Sequence, residues 1–294
     1  MKPTVKYNSL AALACLLWST AFVFTKITLE HLPPLTIAGL RFLLAGLIQV
    51  PLCAGPLSPF KLLRKETKTV LLVSLFQTII LYAGFFYALT LVRGAQAAII
   101  IGSGPLVSAI AAHVAMHDDK LSRRTLQSIA LGIGGIVLIS LATKPWEPVG
   151  SRELLGIGIL LTGSIVSAAG NIVVAKKRGT LPAIELNCIQ MLLGGGVLFL
   201  CALLFEGLPE LRQPPQFYGA LLWLSVVSAA GFAIWFHLLS RVKVSKLNIW
   251  KFLIPLAGAT LSWIFIPGES PDPLTLIGMV LIILGIVHSQ RNQD

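Results

Sequence analysis

Charge is what this sequence has least of. Asp, Glu, Lys and Arg make up 12% of its 294 residues while 55% are hydrophobic, against a charged share of roughly 25% in soluble globular domains. An ordinary water-facing surface is excluded. Acidic residues are the scarcer sign, 12 against 23 Lys plus Arg. Eleven of the acids fall in connections or at a terminus, and Glu185 falls in the first turn of an apolar run. The four cysteines, Cys15, Cys53, Cys188 and Cys201, have no Cys-x-x-Cys or His-partnered spacing and read as small core residues. Neither a cofactor nor a metal is expected. No polar stretch is long enough for a soluble domain of about 50 residues or more.

What is present is a series of long apolar runs, which makes this an all-α membrane protein, since lipid leaves open backbone groups unsatisfied and the runs lack barrel alternation. Ten runs approach the ~20 residues needed to cross a hydrocarbon core. They are Ser9 to Leu29, Leu35 to Ala54, Thr69 to Thr90, Ala95 to Met116, Thr125 to Thr143, Leu154 to Ala175, Ala183 to Phe205, Phe217 to Leu239, Ser245 to Ile266 and Leu274 to His288. The basic start (Lys2, Lys6) leads into a run too long for a signal-peptide core and without a cleavage pattern, so it reads as a retained first span.

The net charge of +11 is distributed by address. With the N-terminus inside, 16 Lys and Arg lie in cytoplasmic segments and four (Arg93, Lys144, Arg152, Arg212) outside, leaving Lys26, Arg41 and Lys251 within spans. That asymmetry in short loops predicts both termini in the cytoplasm. It also accounts for the basicity without a nucleic-acid partner.

The chain repeats itself. Shifted by 150 residues, Val92 to Val137 lands without a gap on Val242 to Val287, with 12 of 46 positions identical. Pro105 falls on Pro255, Asp119 on Glu269, and Gly135-Ile136-Val137 on Gly285-Ile286-Val287. The units are read as 1–145 and 151–290, each with five spans. An odd number inverts the second copy, and the loop charges agree: Lys120, Arg123 and Arg124 in one copy face Ser270, Pro271, Asp272 and Pro273 in the other. Two inverted repeats predict a binding site near the bilayer midplane, exposed alternately to each side.

Trp18-Ser19, Leu40-Arg41-Phe42, the run Phe252-Leu253-Ile254-Pro255 closing on Gly268-Glu269, and the glycine-punctuated last span resemble the EamA-type branch of the drug/metabolite transporter superfamily over essentially the whole chain. The resemblance implies ten helices, a cavity formed by spans 1, 3, 4, 6, 8 and 9, and export of amino acids or related metabolites, as in many members. One departure is Asp118-Asp119, where the family usually shows Gly-Glu.

Ionisable residues inside spans are functional candidates because an unpaired charge at mid-bilayer costs at least ~2.5 to 3.5 kcal/mol. Lys26 is near a span end and reads as snorkelling. Arg41 reads as a structural tie to loop carbonyls or Glu30, and Glu185 as a helix cap. Lys251 is two turns deep, on a face with Asn248, Pro255, Gly258 and Ser262. Two readings stand for it: a ligand for an anionic substrate group, or a cytoplasmic anchor. Candidate substrate contacts are Trp18, Gln77, Tyr82, Ser164, Asn171, Trp235, Asn248 and Lys251, each with helix packing as the competing reading. Pro105 and Pro255 mark candidate helix bends.

An enzyme is not expected: Ser103 and His113 share one helix about 15 Å apart at 1.5 Å per residue, too far for nucleophile and base. The expected activity is that of a secondary carrier or facilitator exporting or exchanging small amphipathic metabolites across the plasma membrane of a bacterial-type cell. A carrier of phosphorylated or other anionic metabolites, or a flippase for lipid-linked substrates, is the alternative. The expected partners are a small-molecule substrate and membrane lipids, with the chain a monomer or weak homodimer.

Overall fold

The computed structural model describes residues 3–89, 91–92, 100–143, 150–210, 212–265 and 272–290. The first half supplies α1 (Pro3–Leu29), α2 (Pro34–Gln49), α3 (Ser58–Lys65), α4 (Thr67–Ser74), α5 (Ile80–Leu89), α6 (Gly104–Ala115) and α7 (Arg123–Thr143). The second supplies α8 (Ser151–Lys176), α9 (Ala183–Phe205), α10 (Pro215–Leu239), α11 (Val244–Ile249), α12 (Leu253–Phe265) and α13 (Pro273–Gln290).

Among the described residues, eight helical segments are long and apolar enough to cross a membrane: Val5–Leu29, Pro34–Leu52, Thr67–Phe85, Arg123–Leu141, Ser151–Lys176, Ala183–Phe205, Pro215–Leu239 and Pro273–Gln290. Ile100–Ala115 is apolar but shorter. It turns at Ser103, and Pro105 follows in the first turn of α6, where a missing N–H removes no helical bond. Sequence position 90, the expected end of the third run, and 93–99, which include the expected start of the fourth, lie outside the described residues, as do 266–271 from the expected end of the ninth onward.

The interior of the bundle differs from a set of plain rods in two places. Between α4 and α5 the chain passes through a π-helical turn, Leu75–Ile79, announced by neither proline nor glycine. Between α11 and α12 it tightens into a 3-10 turn, Trp250–Phe252, just ahead of Pro255, which cannot donate to the Lys251 carbonyl. The short α3 did not register as an apolar run because it is amphipathic. It buries Pro59 and Leu62 while Arg64 and Lys65 occupy its last turn, where positive charge suits the helix dipole.

The packing follows the duplication. Exchange of the halves pairs α1 with α8, α2 with α9, α4–α5 with α10, α6 with α11–α12, and α7 with α13. The contact of α1 with α10 then becomes that of α8 with α5, and α1 with α12 becomes α8 with α6. Under the same exchange α2 on α9 and α7 on α13 each map onto themselves. The α7/α13 contact is glycine-mediated: a β-carbon on Gly135 would lie 2.4 Å from the Gly278 carbonyl oxygen, and one on Gly278 2.5 Å from that of Gly135. Small residues let the two backbones meet where no hydrophobic force drives helices together in lipid.

Candidate functional site

The site is built where α1 crosses α10. Gly231 has no side chain, so the indole of Trp18 closes on the α10 backbone; a β-carbon there would lie 2.7 Å from Trp18 Nε1. Trp18 meets Phe232 edge-on at 5.3 Å between ring centroids and Trp235 at 5.1 Å. Both indole nitrogens are buried without a hydrogen-bond partner among the described residues. Tryptophan nitrogens normally find a partner when buried, and neither of these has one among the described residues.

Lys251 completes this group. Its Nζ lies 5.1 Å from the centroid of the Trp235 ring, a cation–π contact worth up to ~2 kcal/mol when desolvated. The 3-10 turn that carries Lys251 is held from its other side, since Phe252 is buried against Gly132 of α7, where a β-carbon would lie 2.4 Å from its ring. Asn248, three residues earlier and fully buried, donates to the Val244 carbonyl at 2.9 Å while its Oδ1 has no partner.

Arg41 is placed differently from the sequence expectation. Among the described residues it bonds neither Glu30 nor a loop carbonyl. Its Nε donates to Ser228 Oγ at 2.7 Å, and that hydroxyl donates in turn to the Leu224 carbonyl at 2.9 Å. The guanidinium lies 5.3 Å from the Phe42 ring and 5.7 Å from the Tyr82 ring, with only 5% of the residue exposed. Tyr82 extends this aromatic wall through Phe42 at 4.5 Å and Phe85 at 6.4 Å. Among the described residues, no carboxylate lies within ion-pair distance of Arg41 or Lys251.

Of the remaining candidates, Gln77 and Asn171 are brought together, but in a cluster of their own beside the π-helical turn. Gln77 Nε2 donates to Asn171 Oδ1 at 3.0 Å and to the Ser167 carbonyl at 3.1 Å. Ser164 bonds back to the Leu160 carbonyl at 3.2 Å. Ser228, aligned in the sequence with Ser225, Phe232 and Trp235 on one helical face, joins the group through Arg41. Gly231 was missed because a glycine in an apolar run carries no chemical signal of its own.

The acids serve the ends of the bundle. At one end Asp119, fully buried, caps α11 by accepting from Ser245 N at 3.0 Å and from the Ser245 hydroxyl. Asp118 pairs with Arg178, which also donates to the Leu239 and Val242 carbonyls at 3.3 Å each. Lys177 pairs with Glu66 at 3.0 Å, and its ammonium together with the Thr69 hydroxyl holds the Glu66 carboxyl below the usual range. Four basic connections therefore meet there, and the contacts join the two halves. At the other end Glu206, just past α9, accepts from Leu35 N, Thr36 N and Thr36 Oγ1 at 2.8 to 2.9 Å, capping α2. Glu185 does not cap its own helix as expected; it accepts from Ala54 N at 3.1 Å.

The sequence profile of the EamA-like transporter family matches residues 5–141 and 154–289. An uncharacterized transporter of Bacillus subtilis is 28% identical over 290 residues, covering 97% of this chain and 91% of its own. A probable amino-acid metabolite efflux pump of Salmonella typhimurium is 28% identical over 295 residues, covering 96% and 93%. A crystal structure 18% identical in sequence superposes with a TM-score of 0.82, covering 97% of this chain and 98% of that one.

Proposed function

The chain belongs to the EamA-like transporter family, and on that premise we propose that it is a secondary carrier that exports or exchanges small amphipathic metabolites, amino acids or related solutes, by alternating access. It is a multi-pass membrane transporter and not an enzyme. The finer reading is that ten spans form two inverted units, 1–145 and 151–290, with both termini in the cytoplasm of a bacterial-type cell and the chain in its plasma membrane.

The observation that carries this reading is the group formed by Trp18, Trp235 and Lys251, in which two indole rings with unpartnered nitrogens and a cation, drawn from both halves, pack together within apolar helices. An apolar aromatic wall with a few directed polar groups suits a small amphipathic solute. Inversion is supported by the packing that maps onto itself when the halves are exchanged, and by the gathering of basic connections at one end. With that end in the cytoplasm, Asp118, Arg178, Asp119 and Ser245 close the cytoplasmic side, and rocking of one unit on the other must break their contacts. The name of the Salmonella relative supports amino-acid metabolites as the first substrates to try.

The test is counterflow with purified protein in liposomes: vesicles preloaded with one unlabelled metabolite at a time should take up its labelled form transiently. A screen of amino acids and organic acids in which no solute shows trans-acceleration would defeat the carrier reading.

A further inference from the structure

Resting on the carrier reading above, we infer that Arg41 and Lys251 form a two-cation receptor and that the transported solute is an organic acid of net negative charge with an apolar or aromatic body. The two cations address one face of α10. Ser228, which receives the Arg41 hydrogen bond, precedes Trp235, which lies under Lys251, by seven residues. At 1.5 Å per residue the two anchor points are about 10 Å apart along the axis, and Phe232 occupies the same face between them. Trp18 covers that interval from α1.

The charge balance along this face is one-sided. Ser228 occupies only Nε of the guanidinium, and the two terminal nitrogens of Arg41 have no hydrogen-bond partner among the described residues. Lys251 has the face of Trp235 and, beside it, the thiol of Cys15, and neither is a carboxylate. Every described Asp and Glu lies at a helix end or in a connection, so nothing acidic offsets the two cations. A buried charge without a counter-charge is costly unless the missing partner arrives from outside the chain. A carboxylate supplies two acceptor oxygens in the geometry that a guanidinium fork matches. Trp18 and Trp235, which lie between the two cations on this face, keep indole nitrogens without a partner among the described residues. A cationic solute meets the opposite situation, two like charges and no acceptor stronger than an amide.

The experiment uses three probes of one shape and three charges: phenylpyruvate, phenylalanine and phenethylamine. Binding to the purified full chain is followed by tryptophan fluorescence, and exchange is followed by counterflow in liposomes. The expected result is that phenylpyruvate binds and exchanges at least about tenfold better than phenethylamine, with phenylalanine between them. Arg41→Gln, a neutral residue that can still donate to Ser228, should narrow that ratio to about threefold or less, as should Lys251→Gln. Equal or better handling of the amine by the native chain overturns the inference, and so does a parallel loss for all three probes in Arg41→Gln, which would mark the arginine as structural. If no probe binds or exchanges, the inference falls, while the broader counterflow screen decides separately whether the chain is a carrier.

Discussion

The Trp18 indole is seated against Gly231, close enough that a single methyl group on that glycine would lie 2.7 Å from the indole nitrogen. The two residues come from different halves of the chain, so the wall of the site and the contact between halves are the same piece of structure. Gly231→Ala is expected to displace the indole at an overpacking cost of roughly 1–3 kcal/mol. Counterflow should fall by about tenfold with the folded yield retained, and tryptophan emission should shift. An unchanged spectrum together with unchanged counterflow would show that the indole does not rest where the substrate passes.

Lys251 and Lys26 both carry charge inside an apolar run, but only Lys251 is turned onto an aromatic ring with no acid beside it. Loss of a charge-assisted contact is worth about 1.5–3 kcal/mol. Lys251→Met is therefore expected to reduce transport by about ten- to a hundredfold, and Lys26→Met by about twofold or less. Initial rates normalised to folded protein check this. Equal effects of the two changes would return Lys251 to the role of an anchor.

Asp119 and Ser245 tie the fourth-to-fifth connection of one half to the helix that leads to Lys251 in the other. Asp119→Ala removes a helix cap worth about 0.5–2 kcal/mol, which converts to a two- to thirtyfold shift toward the form in which this end is open. The readout is Cys15, fully buried on α1, in a background where Cys53, Cys188 and Cys201 are serine. Impermeant maleimide applied from the cytoplasmic side should modify Cys15 several-fold faster in the variant. Unchanged labelling would show that this cap does not gate access.

The two copies of one connection are expected on opposite sides of the membrane. Cysteine placed at Ser270 should react with impermeant reagent applied outside intact cells, and cysteine placed at Lys120 should not, because basic connections stay in the cytoplasm. Equal reaction of both would refute the inversion of the repeats.

Coupling to protons or sodium usually needs an acid near mid-membrane, and the described acids lie at helix ends or in connections, several of them engaged as caps and ion pairs. Purified protein in liposomes is expected to equilibrate its substrate without any ion gradient. Accumulation above the external concentration on imposing a proton or sodium gradient would contradict facilitated transport.

Much of this was legible in the sequence, and the reason is local. Apolar run length dictates helices because lipid supplies no hydrogen bonds, and residues 183–205 form a helix with the boundaries that composition alone predicts. The prolines at 105 and 255, in register at an offset of 150, exposed the duplication before any packing was known. Lys251 drew attention because a deep charge is expensive wherever it is placed. What only the tertiary structure decided depends on which faces meet. Whether Arg41 found Glu30, a carbonyl or Ser228 turned on the crossing of α2 with α10, and the hydrogen bond settled on the serine of the neighbouring helix. The π-helical turn around Gln77 carries no local signal, since it arises in a stretch without proline or glycine. Gly231 is one glycine among 26, and its role exists only because Trp18 arrives from the other half to fill the space its missing side chain leaves.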